Sequence, residues 1–264
     1  MAYTHGHHES VLRSHTWRTA ENSAAYLLPR LHPGQSLLDV GCGPGTITAD
    51  LAKRVAPGEV VGIDASAEVV AQACAHAAEH GGDNLRFEVA DLFDLPFADA
   101  TFDVVHLHQV LQHLSDPEAA LVQLRRVLSD DGVLAARDSD YGTFTWAPRD
   151  PLLERWLAIY LATTARNGHD ARIGPRLPAL ARRAGFSTVD VSSSTWTYAD
   201  PESRRWWGEL WADRIRFSRL AEHATEYGVS TPSELEAIAE AWQRWARAED
   251  GVFVLTHVEI LAQP

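Results

Sequence analysis

The stretch Leu37-Leu38-Asp39-Val40-Gly41-Cys42-Gly43-Pro44-Gly45-Thr46 decides how this 264-residue chain is interpreted. Its apolar start predicts a buried strand that ends in glycines. The residues that follow carry Ile47, Leu51 and Val55 four positions apart, which predicts one face of a helix. Glycines at a strand–helix junction permit a tight turn and let a ligand approach the backbone closely. The stretch therefore predicts the first strand–turn–helix unit of an α/β fold, with a ligand at the turn.

The alternation of strands and helices continues along the chain. Further short apolar runs predict strands, and Ser66 and Asp116 precede helical patterns as N-caps. Near-continuous apolar strands separated by helices indicate a parallel sheet with helices on both faces. The predicted strands after the first lie at 60–64, 85–89, 102–107, 133–136, 188–198 and 252–261, and the later helices lie at 151–166, 174–184 and 203–220 and after Thr231-Pro232-Ser233-Glu234.

Two acidic residues follow the glycine turn at informative places. Asp64 ends the second predicted strand, about 20 residues on, where a carboxylate can accept hydrogen bonds from both ribose hydroxyls. Asp91 follows the third strand, where a carboxylate can accept from the exocyclic amine of adenine. A pyrophosphate-binding turn usually reads G-x-G-x-x-G and needs no such second acid. Here the third glycine, Gly45, comes one residue early. The residues thus favour a nucleoside-bearing ligand, with a dinucleotide and a plain turn as alternatives.

Composition and charge exclude several classes of protein. The chain has 23 Lys and Arg against 36 Asp and Glu, a formal net charge of −13. Such a surface repels phosphate backbones and anionic lipids, which argues against nucleic-acid and membrane partners. No apolar run approaches the roughly 20 residues that span a bilayer, and the polar N-terminus lacks the pattern of a signal peptide. Two cysteines, Cys42 and Cys74, make no disulfide framework. We expect a cytoplasmic protein.

Taken together, the motifs resemble those of class I S-adenosylmethionine-dependent methyltransferases, most closely the small-molecule enzymes of the ubiquinone/menaquinone-biosynthesis type. Residues 37–46 look like their first motif, Asp64 like their ribose-binding acid and Asp91 like their adenine-binding acid. Residues 94–103 are similar to the segment that leads into their fourth strand, and residues 108–117 to the block that follows it. The resemblance is specific over residues 36–138 and looser beyond them.

The resemblance implies a fold as well as an activity. It implies a Rossmann-like, seven-stranded, mostly parallel sheet in the order 3-2-1-4-5-7-6, with helices on both faces and the last strand antiparallel. We expect one methyltransferase domain over residues 1–264. Its predicted parts are an N-terminal helical lid at 1–35, a cofactor-binding core at 36–138, and the rest of the sheet at 139–264, with substrate-side helical insertions at 139–170 and 199–248.

The same resemblance assigns the cofactor S-adenosylmethionine and its product S-adenosylhomocysteine to the carboxyl ends of the first and fourth strands. Glycine-turn residues would line the methionine part, Asp64 and Ala65 the ribose, and Asp91 and Leu92 the adenine. Gln109 would pass near the sulfonium, and Arg18 would close over the methionine carboxylate. The predicted cofactor-binding residues are Arg18, Asp39, Gly41, Gly43, Gly45, Thr46, Asp64, Ala65, Asp91, Leu92 and Gln109.

Candidates for catalysis and for acceptor binding flank this site. His108 and His113 are candidate catalytic residues, with a structural hydrogen bond as the favoured alternative for His113. Candidate substrate residues are Tyr3, His5, Tyr141, Phe144 and Trp146. No metal site is predicted, because the histidines at 5, 7 and 8 lack cysteine or carboxylate partners, and Asp138 and Asp140 are interpreted as capping and turn residues. Cys42 and most tryptophans at 206, 207, 211, 242 and 245 are interpreted as packing residues.

Three functions compete. The first is transfer of a methyl group from S-adenosylmethionine to a small organic acceptor by in-line displacement, achieved mainly by positioning and exclusion of water. The second is a protein that binds the same cofactor without methylating, as a cyclase, a pericyclase or a sensor. The third is a nicotinamide-dependent oxidoreductase. The sequence names neither the acceptor nor the methylated atom, and it leaves open a homodimer formed through the tryptophan-rich helices.

Overall fold

The computed structural model describes residues 17–264, so Tyr3, His5 and most of the predicted lid lie outside the described residues. These residues divide into two compact units. We call residues 17–138, 173–193 and 258–264 the sheet unit, and residues 139–172 and 194–257 the aromatic unit. That the whole chain forms one domain with a lid stays a prediction.

The described residues form eight strands and nine α-helices. The strands are β1 Leu37–Val40, β2 Val60–Asp64, β3 Leu85–Val89, β4 Phe102–His108, β5 Leu128–Ser139, β6 Thr145–Ala147, β7 Thr188–Tyr198 and β8 Val252–Gln263. The helices are α1 Ala20–Ser23, α2 Thr46–Val55, α3 Ala67–His80, α4 Pro117–Val127, α5 Pro151–Arg166, α6 Leu177–Arg183, α7 Pro201–Phe217, α8 Arg219–Glu226 and α9 Pro232–Arg247. Short 3-10 turns lie at Leu28–Arg30, Leu111–His113 and Gly174–Arg176.

The predicted strand order is confirmed. The strands lie in the order β3-β2-β1-β4-β5-β8-β6, and β7 pairs with β8. Because β7 and β8 are the expected sixth and seventh strands, this order contains the predicted 3-2-1-4-5-7-6. The central strand β1 runs parallel to both neighbours, with Leu37 opposite Val60 of β2 and Val104 of β4. The carboxyl ends of β1, β2 and β4 therefore share one edge of the sheet.

Two local predictions were wrong. Within the predicted helical insertion at 139–170, the helix at 151–166 is confirmed, but Thr145–Ala147 was not expected to be a strand and forms β6, which pairs antiparallel with the start of β8. Residues 203–220 were expected to form one helix, but Ser218 divides them into α7 and α8. The hydroxyl of Ser218 donates to the carbonyl of Arg214 at 2.7 Å and accepts from the N–H of Leu220 at 3.3 Å, so it ends one helix and caps the next.

Both faces of the sheet unit are covered, as its apolar strands predict. Leu37 packs into one buried cluster with Leu27 and Leu51, and the next residue, Leu38, packs into another with Leu107 on the opposite face. This alternation follows from the two-residue period of a strand. The N-caps predicted for α3 and α4 are confirmed, since Ser66 accepts from the N–H of Val69 and Asp116 from that of Ala119.

The aromatic unit has a core of stacked and perpendicular rings. Trp156 lies at its centre and meets Trp211 at 4.6 Å and Trp242 at 4.9 Å between ring centroids, both edge to face. Gly208 lets α7 approach α9, because a Cβ there would lie 2.7 Å from the Cβ of Ala246. The interpretation of the tryptophans as packing residues is confirmed: Trp207, Trp211, Trp242 and Trp245 are buried, and Trp206 packs against them. Over residues 17–264, each helix is too short or too polar to cross a bilayer.

Candidate active site

The glycine turn between β1 and α2 has the backbone that its sequence predicts. Gly41, Gly43 and Gly45 have φ angles of 66°, 56° and 81°, a region that favours glycine. A Cβ on Gly41 would lie 2.5 Å from Cγ2 of Val110, and one on Gly45 would lie 2.7 Å from Cζ of Phe87. Both positions therefore exclude a side chain, and Gly45 directly precedes the first turn of α2, where backbone N–H groups can bind an anionic group.

Asp64 lies against this turn. Its Oδ2 accepts a hydrogen bond from the N–H of Gly43 at 3.3 Å, and its Oδ1 accepts from the N–H of Ser66 at 3.0 Å. The carboxylate is half-buried, and the following residue, Ala65, is exposed. These backbone donors orient Asp64 before any ligand binds, so the carboxylate is preorganised. Its place at the end of β2 is the one that the sequence predicts.

The predicted adenine-binding segment adjoins Asp64. The N–H of Ala90 donates to the carbonyl of Asp64 at 3.2 Å. Asp91 is exposed and its Oδ1 accepts from the N–H of Phe93 at 2.9 Å, whereas Leu92 is buried. The structure thus brings the glycine turn, Asp64 and Asp91 to one edge of the sheet, while the roles of these residues toward a ligand stay predictions.

Asp39 is engaged within the protein. It is buried, its Oδ2 accepts from the hydroxyl of Thr48 at 2.5 Å, and its Oδ1 lies 2.7 Å from Nδ1 of His106. This network joins β1, α2 and β4 beneath the glycine turn. Its geometry supports positioning of the turn, and the predicted contact of Asp39 with methionine is untested. Thr48 and His106 were missed as its partners, although both lie on elements predicted to neighbour β1.

Gln109 and Arg18 meet at the carboxyl end of β4. Nη2 of Arg18 donates to Oε1 of Gln109 at 2.7 Å. Gln109 has a φ of 55°, a strained value for a residue with a side chain, and its N–H donates to the carbonyl of Arg137 at 2.7 Å. Two residues that the sequence assigned to the sulfonium and the carboxylate are thus brought together. Thr46 is the first residue of α2 and directly follows the glycine turn.

The two candidate catalytic histidines lie in different settings. His108 is buried at the end of β4, in register with Arg137 of β5. Because alternate residues of a strand share a face, its ring lies on the same face as that of His106. His113 is half-buried in the turn Leu111–His113. Neither position tests a catalytic role, which stays a prediction for both.

The candidate acceptor residues Tyr141, Phe144 and Trp146 are buried within the aromatic unit. Tyr141 stacks on Tyr160 at 4.2 Å between ring centroids, and Trp146 stacks on Phe253 at 5.7 Å. Their observed contacts are therefore those of a core, and contact with an acceptor stays a prediction. Tyr3 and His5 lie outside the described residues.

Asp138 was assigned a capping or turn role, and the structure corrects this assignment. It belongs to β5, is fully buried, and its Oδ1 accepts from the N–H of Gln112 at 3.3 Å. Burial raises the pKa of Asp138 to about 7, against the lowering effect of backbone N–H donors and of Arg137 and Arg18. Asp140 does have the predicted turn role, because its Oδ1 accepts from the N–H of Gly142 at 2.9 Å.

Cys42 is a packing residue, as predicted. It is buried in the glycine turn, and burial raises the pKa of its thiol far above the ordinary value, which disfavours a nucleophilic thiolate. The other cysteine, Cys74 on α3, is exposed. Among residues 17–264, no group of three or more His, Cys, Asp or Glu side chains is placed to hold a metal ion.

Comparisons with known proteins agree with the motifs. A family model described as a methyltransferase domain matches residues 31–171. The chain is 34% identical to an uncharacterized methyltransferase of Schizosaccharomyces pombe, over 99% of this chain and 96% of that protein. It is 32% identical to the probable methyltransferase ltbC of Aspergillus luteorubrus, over 98% of this chain and 96% of that protein.

A solved structure shares the fold. Phosphoethanolamine N-methyltransferase 2 of Haemonchus contortus, solved with phosphomonomethylethanolamine and S-adenosylhomocysteine, superposes with a TM-score of 0.57 at 18% identity, over 91% of this chain and 52% of that one. The glycine turn, which a Cβ would block, and the preorganised Asp64 fit the methyl donor of such enzymes. With the family model and the two relatives, these findings show that the chain belongs to the class I S-adenosylmethionine-dependent methyltransferases.

Proposed function

We propose that this methyltransferase transfers the methyl group to a small organic acceptor, with the donor held at the carboxyl ends of β1, β2 and β4. One observation carries the proposal: Asp64 is fixed against the N–H of Gly43 at 3.3 Å, within a turn of three glycines with positive φ. The net charge of −13 supports a small molecule over a nucleic acid as the acceptor. A ubiquinone/menaquinone-type acceptor, a homodimer and a cytoplasmic location stay predictions.

In this proposal the chain contributes mainly binding and orientation. Asp64 would accept from the ribose hydroxyls and Asp91 from the adenine amine, while the glycine turn lets the methionine part approach the backbone. The Arg18–Gln109 pair would orient the amino acid end. S-adenosylmethionine itself supplies an activated methyl group on a sulfonium, so in-line displacement needs little further chemistry. Positioning of two reactants can lower a barrier by about 7–11 kcal/mol at best.

Replacement of Asp64 tests the proposed donor site. Asp64→Ala removes a charge-assisted pair of hydrogen bonds, and we expect it to weaken S-adenosylmethionine binding by about 2–3 kcal/mol, or about 30–150-fold. Calorimetric titration measures this effect. Asp83→Ala is a matched control, because Asp83 is an exposed carboxylate in the loop before β3. Equal affinities of the two variants would refute the assignment of Asp64.

Transfer of a labelled methyl group tests the reaction. The protein is incubated with methyl-labelled S-adenosylmethionine and a panel of phenols, hydroxy acids, amines and quinols, and the label in the extracted products is counted. Transfer to one chemical class identifies the acceptor type. Tight cofactor binding without transfer to any acceptor would favour the non-methylating alternative. Stabilisation by NADH and not by S-adenosylhomocysteine would instead favour the oxidoreductase.

A further inference from the structure

Asp138 is a buried carboxyl group that its surroundings only half satisfy. It is fully buried, its Oδ1 accepts from the N–H of Gln112 at 3.3 Å, and its Oδ2 has no hydrogen-bond partner in the described part of the chain. An ionised oxygen without donors is costly in such a place, whereas a protonated carboxyl is tolerated. Asp138 is therefore balanced between its acid and its anion near neutral pH, as the pKa of about 7 indicates.

The position of Asp138 links it to the proposed donor site. The segment that follows β4 touches the glycine turn through Val110, whose Cγ2 would lie 2.5 Å from a Cβ on Gly41. Two residues later, the N–H of Gln112 donates to Asp138. The backbone N–H of Gln109, next to Val110, donates to the residue before Asp138 in β5. One short segment therefore separates the carboxyl from the turn, within the sheet unit.

The charged groups around Asp138 are largely committed to other partners. Arg137 forms a buried ion pair with Glu259 of β8, with Nε and Oε1 3.1 Å apart, and Arg18 donates to Gln109 at 2.7 Å. Tyr26, which follows α1, is half-buried with its hydroxyl enclosed, and burial of that hydroxyl raises its pKa well above the ordinary value, so it stays neutral.

Two titratable histidines also lie on the elements beside Asp138. His108 of β4 is in register with Arg137, and His113 ends the turn that includes Gln112. Both side chains can bind a proton, so an experiment that varies pH needs a variant of Asp138 to separate the contributions.

We propose that Asp138 distinguishes the methyl donor from the spent product by charge. The sulfonium of S-adenosylmethionine would ionise Asp138, and the neutral thioether of S-adenosylhomocysteine would let it take up a proton again. The inference rests on the proposed function, because it needs the donor at the carboxyl ends of β1 and β4. In the step, the O–H bond of Asp138 breaks and the proton passes to solvent, and no other bond changes.

The two ligands differ by a methyl group and one positive charge. A cation near a carboxyl favours its ionised form, and the ionised form in turn binds the cation more tightly. Asp138 would therefore add affinity for the donor and withdraw it once the methyl group has left. The loss of this affinity assists release of S-adenosylhomocysteine. A site without an ionisable group would not distinguish the product from the donor by charge.

Calorimetry of the full-length protein tests the inference with S-adenosylmethionine and S-adenosylhomocysteine. Titrations at pH 7 in phosphate and in Tris give the number of protons released, because these buffers differ in their enthalpy of ionisation. We expect about half a proton for the donor and about none for the product, since a carboxyl with a pKa near 7 is half protonated there. Between pH 6 and pH 8 the preference for the donor should rise about tenfold.

Two variants locate the effect. Asp138→Asn should abolish both the difference in proton release and the rise with pH. Asp103→Asn is the matched control, because Asp103 lies at the opposite end of β4, where its Oδ2 accepts from the N–H and hydroxyl of Ser36 at 2.8 Å. This variant should behave as the wild type. If Asp138→Asn does not fold, Asp138→Ser is the second variant, and the same loss of the difference between the two ligands is expected of it.

The outcomes separate this inference from the proposed function. Equal proton release by the two ligands, or an unchanged difference in Asp138→Asn, would overturn the role of Asp138 while leaving the donor site intact. Failure of the wild type to bind either ligand would overturn the donor site and this inference together.

Discussion

The sheet unit and the aromatic unit are built from different interactions. The sheet unit buries charged and hydrogen-bonding side chains in defined pairs, such as Asp39 with His106 and Arg137 with Glu259. The centre of the aromatic unit consists of rings such as Trp156 and Trp242 in mutual contact. Paired polar groups require particular residues at particular places, whereas apolar packing tolerates exchange at constant volume. The glycine turn and Asp64 of the sheet unit can therefore be recognised in a single sequence, whereas the ring contacts of the aromatic unit cannot.

The largest effect is expected at the centre of the aromatic unit. Trp156→Ala removes a fully buried ring, and the cavity should lower the free energy of unfolding by about 3–5 kcal/mol. Urea titration followed by circular dichroism measures this change. The matched control is Phe217→Ala, whose side chain is 61% exposed and whose loss should change stability by about 0.5 kcal/mol or less. Equal losses would show that the rings do not form a cooperative core.

A substitution in the glycine turn should lower the free energy of unfolding less than Trp156→Ala does, and it should also weaken cofactor binding. Gly41→Ala places a Cβ 2.5 Å from Val110 at a φ of 66°, and we expect a cost of about 3 kcal/mol together with weaker S-adenosylmethionine binding. Gly34→Ala isolates the backbone effect, because Gly34 has a φ of 93° with no atom within 4 Å of the added Cβ. It should cost about 1 kcal/mol and leave binding unchanged. Similar results for the two variants would refute the close contact.

Replacement of Asp138 should stabilise the folded protein, whereas most substitutions lower the free energy of unfolding. Because its pKa is raised in the folded protein, the folded state binds more protons than the unfolded state between about pH 4 and pH 7, and stability falls as pH rises through that range. Asp138→Asn removes this penalty. The free energy of unfolding of Asp138→Asn, measured by urea titration relative to the wild type, should rise by about 2 kcal/mol from pH 5 to pH 8. A difference that stays constant with pH would contradict the raised pKa.

The smallest losses of stability are expected on removal of a helix N-cap, and each unit offers one. Ser218 is buried and bonds both to Arg214 and to Leu220, so Ser218→Ala should cost about 1–1.5 kcal/mol. Ser66 is half-buried and accepts from Val69 at 3.4 Å, so Ser66→Ala should cost about 0.5 kcal/mol. Thermal melts measure the stability lost in each variant. A larger loss for Ser66→Ala than for Ser218→Ala would show that burial of the capping residue does not determine the cost.

What the sequence predicts well follows from backbone geometry. The glycines at 41, 43 and 45 need positive φ, and the strands alternate with a period of two, so both the turn and the strand order could be predicted. Asp64 could be predicted because its place at the end of β2 is set by spacing within one βαβ unit.

What the sequence does not predict depends on contacts between distant residues. The division at Ser218 was missed because the apolar spacing of the tryptophans continues across it. Strand β6 was missed because it has only three residues and because the aromatic residues around it are equally compatible with a loop or a helix. The burial of Asp138 arises from the segment after β4, and a residue beyond a predicted strand end gives no local sign of it.

The two cysteines differ in accessibility, and this difference has a practical consequence. A maleimide should modify the exposed Cys74 and spare Cys42 in the folded protein, because the thiol of Cys42 is shielded and protonated. A fluorophore can then be attached to one site on α3 without mutagenesis. Slow labelling of Cys42 would in turn report each occasion on which the glycine turn opens, and its rate would measure how firmly a bound nucleoside keeps that turn closed.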